Sequence, residues 1–292
     1  MTNRQKAHRL TQGELIVGLV VLAFAIAIIL PMLARMGGRA TRMVCGTNLA
    51  GFGKAMLIYA SDYDGGLPRA GGPGSAWAAR TPNWRASSQA DAYGMTANQP
   101  GRASVSASLY LLVKYAEVEP KSFVCSQDGR AREFVPQRYR ARGELIDYWD
   151  FGPNPPGHVS YSYHMPYGSY PLTTSSPPGL AVAADRNPWM DSPFAKARDF
   201  SLFKPNVAPY NGTTEQSRAG NSLVHQSDGQ NVLFLDTHVE FAKWPNCALE
   251  EDNIYTSWDG ADKARGKPAA FGSQPADPND SLLVNDPAVA PR

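Results

Sequence analysis

The stretch 15–33 (LIVGLVVLAFAIAIILPML) carries no charged or polar side chain, and this constrains the chain more than anything else in it. As a helix it covers about 28 Å, close to the hydrocarbon thickness of a bilayer. A helix that lies on a soluble core keeps polar residues on one face, and this one has none to keep. The stretch is expected to enter a membrane. No other part of the sequence approaches its apolar length, so the chain beyond about residue 60 is expected to fold in water.

Two general readings of the segment are a secretory signal and a permanent anchor. Arg4, Lys6 and Arg9 supply the basic start that a signal needs. The run is longer than a usual signal core, and residues 31–36 give no small-x-small cleavage site. A third reading comes from Leu10-Thr11-Gln12-Gly13-Glu14, which together with the apolar run resembles the start of type IV prepilins and type II secretion pseudopilins. In that alignment Leu10 takes the place of the first mature residue, Thr11 the second, and Glu14 the family's glutamate at mature position five. The resemblance implies assembly through Glu14, Leu10 and Thr11. The carboxylate would meet the free N-terminal amine of a neighbouring subunit, because a charge at the edge of an apolar helix is costly unless it is neutralised. Thr11-x-x-Glu14 also has capping-box spacing, which explains the same residues without a partner. Processing by a prepilin peptidase between Arg9 and Leu10, with methylation of Leu10, is implied too, but Arg9 stands where the family has glycine. Basic residues flank the run on both sides, so charge does not orient it.

Cys45, Leu49, Phe52, Met56 and Tyr59 recur at helical spacing and predict that the helix continues with one apolar face. The segment 45–68 (CGTNLAGFGKAMLIYASDYDGGLP) is similar to the prepilin-type proteins abundant in planctomycete bacteria. Further pieces match in order: Phe123-Val124-Cys125, the alternating run 159–163, Ala183-Ala184-Asp185, and a final block holding His225, Asn231 and Asp236. That block resembles the family's C-terminal signature of a histidine, about nine residues and Asp-Gly, with Thr237 here in the place of glycine. The resemblance implies an α+β fold in which a long N-terminal transmembrane helix packs, through its outer half, on an antiparallel head sheet with long loops. The implied location is the bacterial inner membrane, single-pass, with the head in the periplasm or outside the cell. It also implies that Cys45 and Cys125 pair if either is bridged, leaving Cys247 over. Three separate thiols are the alternative, since spacing alone does not establish a bridge.

The expected organisation is a basic leader over 1–9, the helix over 10–60, a globular head over 61–262 and an extended Pro-rich tail over 263–292. Strands are expected at 159–163, 180–184, 231–235 and 238–242. The run 231–235 is apolar on both faces and therefore central, and the last two strands are joined at Asp236-Thr237 as a hairpin. Thr237 is β-branched and suits a two-residue type I′ turn poorly, so a longer turn is expected.

A formal charge of +2 with no long basic run argues against nucleic acid as a partner. No Gly-x-Ser-x-Gly, His-Glu-x-x-His, phosphate loop or Cys-x-x-Cys occurs, so no enzyme is expected. His225, Asn231 and Asp236 are expected to serve structure, with His225 and Asp236 holding the connection before the hairpin through side-chain to backbone bonds. His225 with Asp236 or Asp185 is the alternative, a metal site. An oxygen-rich stretch places Asp252, Ser257 and Asp259 as candidate calcium ligands, and Ser257-Trp258-Asp259 faintly resembles the end of the calcium loop in major pseudopilins. A solvated acidic loop accounts for the same residues. The expected partners are membrane lipid and other pilin-like subunits. The expected function is that of a non-enzymatic pseudopilin-like structural subunit. The alternative is an anchored envelope domain that binds a glycan or protein without forming filaments.

Overall fold

A computed structural model describes residues 12–129, 131–191 and 196–287, with the backbone alone for 30–37. The chain divides into two units, Met1–Thr41 and Arg42–Arg292.

Helix α1 runs over Gln12–Asp62 and opens with Glu14 in its first turn, where a carboxylate favours the helix dipole. Its 18-residue window Gln12–Ile29 is apolar, and none of it is buried. Length and composition allow this helix to cross a membrane, and a signal sequence would satisfy the same test. In the second unit, the face formed by Cys45, Leu49, Phe52, Met56 and Tyr59 is buried, while Met43, Val44, Leu57 and Ile58 are exposed. The stripe read from the sequence is thus the packing face. Gly53, which lowers helix propensity, has a packing role: a Cβ there would lie 2.9 Å from Leu233 Cδ1 and 3.3 Å from Thr237 Cβ.

The remaining helices are α2 (Gln89–Tyr93), α3 (Val105–Ala116) and α4 (Thr214–Arg218). Residues 105–113 of α3 are all buried. Its free N-terminal donors are met by Ser104 Oγ, which accepts from Ala107 N, and by the Asp286 carboxylate, which accepts from Val105 N and Ser106 N at 2.8 Å each.

The strands are β1 (Ala76–Trp77), β2 (Arg102–Ala103), β3 (Tyr161–His164), β4 (Ala181–Asp185), β5 (Gln230–Phe234), β6 (Val239–Ala242), β7 (Thr256–Asp259), β8 (Asp262–Pro268) and β9 (Leu283–Val284). The main sheet is antiparallel, in the order β6-β5-β4-β3-β9. The β7–β8 pair is a separate antiparallel ribbon, and β1–β2 form a short parallel pair. Alternation along β5 divides its side chains between two cores. Leu233 joins the cluster containing Cys45, Leu49 and Phe52, whereas Val232 and Phe234 join Trp189, Phe203, Ile254 and Tyr255. Both faces of the central sheet are therefore covered, which is why β3, β4 and β5 are buried throughout. The β5–β6 turn leaves Thr237 at φ 71°, in the left-handed position of a three-residue loop.

Residues 263–287 depart from the loose packing expected of the tail. β8 covers part of them, and Leu282, Leu283 and Val284 are fully buried, with β9 hydrogen-bonded to β3 at the sheet edge. Pro268 closes β8 opposite Thr256, at the end of an edge ribbon where a missing N–H is tolerated, and Pro275, Pro278 and Pro287 lie outside the strands, so proline content was a poor guide to packing here.

Candidate functional site

Three segments distant in sequence converge where α1 crosses β5. Cys45 on α1 and Cys125, just after the short helical turn Pro120–Phe123, form a disulfide with a Cα–Cα separation of 5.7 Å. Stacking of Phe52 on Phe123, with centroids 4.5 Å apart, holds the same two segments together. His225 lies against the bridge, its Nε2 3.9 Å from Cys125 Sγ and 3.4 Å from Asp185 Oδ2. Asp185 ends β4 and is held there by Tyr255, whose hydroxyl donates to the Asp185 carbonyl at 2.7 Å. Asn231 on β5 donates its backbone N–H to Asp185 Oδ2 at 2.7 Å. Its side-chain amide approaches the same oxygen at 3.3 Å and His225 Nε2 at 3.2 Å. His225 Nδ1 bonds Gln127 Oε1. With Nδ1–H donating to Gln127, Nε2 accepts from the Asn231 amide and faces the Asp185 oxygen as a second acceptor.

The whole cluster is buried, with Cys45 and Asp185 at 0% exposure and His225 at 1%. Within it Asp185 Oδ1 has no hydrogen-bond partner among the described residues, an uncommon condition for a buried carboxylate. The backbone that carries His225 is also unusual. His225, Gln226 and Ser227 have φ of 58°, 60° and 58°, three successive left-handed residues, none of them glycine. Such strain persists only where surroundings hold it. Here Arg198 bonds Ser227 Oγ, Arg218 donates to the Gln226 carbonyl at 3.2 Å, and Asn221 Nδ2 donates to the Ser227 carbonyl at 3.0 Å. The outer side of the turn, Gln226 and Ser227, lines an open pocket of about 570 Å³ with Arg198 and Arg218. The disulfide, imidazole and carboxylate thus sit together just inside a strained turn, and Cys45, Cys125 and His225 bring three metal-ligand atoms within 4.8 Å of one another.

The other residues singled out from the sequence lie elsewhere. His225 and Asn231 come together, but Asp236 is exposed at the β5–β6 turn, where it bonds His238 Nδ1 at 2.5 Å and His238 N at 3.1 Å. His225 also departs from its expected backbone-bracing role, because its described partners are side chains. Glu14 is exposed in the first turn of α1. Arg9, Leu10 and Thr11 fall outside the described residues. The calcium candidates diverge. Asp252 is buried, accepting from Trp258 Nε1 at 2.7 Å and Ser281 N at 2.8 Å, while Ser257 donates to Asp280 and Asp259 pairs with Lys267 at 2.8 Å. Asp252 spends its oxygens on protein donors and Asp259 faces a cation, so the three do not make a calcium cage.

Two buried carboxyl clusters were not read from the sequence. Asp150 accepts from Thr81 Oγ1 at 2.8 Å and Ser104 Oγ at 2.5 Å, and burial pushes its carboxyl up to about 7. Ser106 Oγ links it to Asp286, itself raised by burial. Burial, followed by the Asp280 charge, likewise raises Asp252 to about 7. The serine-rich start of α3 was the available signal, since hydroxyls in an apolar helix face need a buried partner.

Comparison with protein-family profiles, with curated proteins and with solved structures returns no match for this chain.

Proposed function

We propose that the chain is a non-enzymatic, pseudopilin-like structural subunit, inserted in the inner membrane by the first part of α1 and presenting its antiparallel head in the periplasm or outside the cell. The observation that carries this reading is the composition of α1. One helical element holds an exposed window apolar enough to span a bilayer and, after Arg42, the side chains that build the head core against β5. A cleaved signal has no reason to continue into a structural core helix. The prepilin-like start at residues 10–14 adds a reason for assembly, because Glu14 would neutralise a neighbouring subunit's N-terminal amine within the membrane. Its partners on this reading are membrane lipid, other pilin-like subunits and a prepilin peptidase.

The test is cysteine-directed crosslinking between N-terminal helices in native membranes. Glu14→Ala is expected to leave the protein inserted and the head folded while reducing crosslinked dimers at least tenfold. Intact-mass analysis of native material is expected to show loss of residues 1–9 and a methylated Leu10. An uncleaved chain whose Glu14→Ala variant crosslinks as efficiently as the parent would overturn the assembly reading and favour an anchored binding domain.

A further inference from the structure

We propose that, when Cys45 and Cys125 are in the thiol state, the head binds one divalent ion of the zinc class through both sulfurs and His225 Nε2, with a water in the fourth position and the Asp185 carboxylate beside the imidazole as a charge partner. The site is independent of filament assembly and lies wholly within the head.

The distances support tetrahedral coordination. With metal–sulfur bonds of about 2.3 Å and metal–nitrogen or –oxygen bonds of about 2.0 Å, tetrahedron edges run from about 3.3 to 3.8 Å. His225 Nε2 lies 3.9 Å from Cys125 Sγ, so one edge already approaches that size, and the ligand atoms of Cys45, Cys125 and His225 lie within 4.8 Å of one another. The two sulfurs need only to open from bonding distance by side-chain rotation. The tautomer is also suitable: Gln127 Oε1 accepts from Nδ1–H, and the Nε2 lone pair, which accepts from Asn231 in the bridged state, is the one on the side of the sulfurs. An outer hydrogen bond of this kind is what fixes a metal-bound imidazole. Asn231 holds Asp185 through Oδ2, which lies 3.4 Å from His225 Nε2, while Oδ1 is buried with no hydrogen-bond partner among the described residues. An incompletely compensated buried carboxylate beside the imidazole is the second observation that favours a cation here, since such a charge is costly. The strained turn at 225–227 then has a purpose: it brings the imidazole in from the loop before β5.

The metal and the disulfide are alternatives for one pair of sulfurs. Binding to the dithiol releases two protons, so that M²⁺ is held by two thiolates, one imidazole and one water, with the Asp185 charge close by. Oxidation by a disulfide reagent reverses this. The two thiolates lose one electron each and join as the Cys45–Cys125 bond, the reagent's S–S bond takes up the two electrons and two protons to become two thiols, and the ion leaves as M²⁺. The bridged structure is the metal-free end of that exchange.

The test uses the full chain in detergent with Cys247→Ser, so that only Cys45 and Cys125 supply thiols. A water-soluble phosphine opens the bridge, becoming its oxide with an oxygen atom from water, and is removed anaerobically before Co²⁺ or Zn²⁺ is added. The expected result is one equivalent of Co²⁺ bound, with a thiolate charge-transfer band and the strong visible absorption of a tetrahedral ion, displaced by Zn²⁺. X-ray absorption of the zinc form is expected to show two sulfurs at about 2.3 Å and two lighter ligands at about 2.0 Å. His225→Gln and Asp185→Asn are each expected to weaken binding at least about tenfold, and the oxidised chain to bind none. Near-ultraviolet dichroism, recorded in parallel, is expected to stay native in the reduced, zinc-loaded chain. Failure of the reduced chain to bind, an octahedral spectrum, unchanged affinity in His225→Gln, or binding only after the head's dichroism is lost would each overturn the proposal.

Discussion

The two parts of α1 are built from similar residues and obey different rules. Over Gln12–Ile29 every side of the helix is apolar and exposed, with Phe24 at 69% exposure. From Arg42 onward apolar residues also abound, but one face is buried, with Phe52 at 0%, and the opposite face is open. Uniform apolarity specifies a surrounding medium, whereas a stripe specifies a partner surface. The stripe has a partner because Gly53 lets the sheet approach and Phe123 stacks on Phe52. The difference teaches that hydrophobic content alone does not say what a helix is for. The angular distribution of that content does.

The sharpest way to break this contrast is to truncate one phenylalanine in each part. Phe52→Ala is expected to destabilise the head by about 3–5 kcal/mol, because it removes a fully buried ring between Phe123 and Tyr161. Phe24→Ala is expected to leave head stability within about 0.5 kcal/mol, as a surface change does. Chemical denaturation in detergent, followed by near-ultraviolet dichroism, measures both. Equal losses would show that the two parts of α1 are not energetically distinct.

A smaller effect sharpens the contrast through pH, because the head contains buried carboxyls where the apolar window has none. Asp150 is raised by burial to about 7, against 3.8 for an ordinary aspartate. The folded chain holds this proton longer than the unfolded chain, so the contribution is full below about pH 4 and is lost as pH rises to about 7. His164, lowered by burial to about 4, acts in the opposite sense: its contribution is present above its ordinary 6.5 and lost as pH falls to about 4. Comparing Asp150→Asn with the parent cancels the histidine. The stability of the variant relative to the parent is expected to rise with pH across this window, by at most about 1.4 kcal/mol per pH unit. A difference that stays flat in denaturation midpoints would show that Asp150 does not titrate there.

The smallest expected effect lies where the packed part of α1 meets the β5–β6 turn. Thr237 holds φ 71°, a conformation a β-branched residue adopts only under strain. Thr237→Gly removes that strain, costs some chain entropy, and loses the threonine's contact beside Gly53. The net expectation is a gain of about 0.5–1 kcal/mol, read as a rise in thermal midpoint. A fall would mean that the contact with α1 outweighs the backbone strain.

Legibility in the sequence followed the range of the interactions. The strands expected at 159–163, 180–184, 231–235 and 238–242 correspond to β3, β4, β5 and β6 within one or two residues, because alternation and turn residues are local signals. β9 escaped notice, since two apolar residues among prolines carry no periodicity and become a strand only when β3 offers an edge. His225 and Asn231 stood out as signature residues, yet Gln127 did not. Asp236, which looked like the partner of His225, turned out to serve its own turn with His238.

By itself the sequence determined an apolar helix near the start of the chain, an amphipathic continuation of it and a set of alternating strands. Each of these is written in neighbouring residues, whose side-chain periodicity is enough to choose helix or strand. Only the tertiary structure decided which buried polar groups meet. Cys45 reaches Cys125 across 80 residues, and His225 reaches Asp185 and Gln127 from a left-handed turn. Sheet register and helix approach set those distances to within an ångström, and no local pattern encodes a partner that distant in the chain.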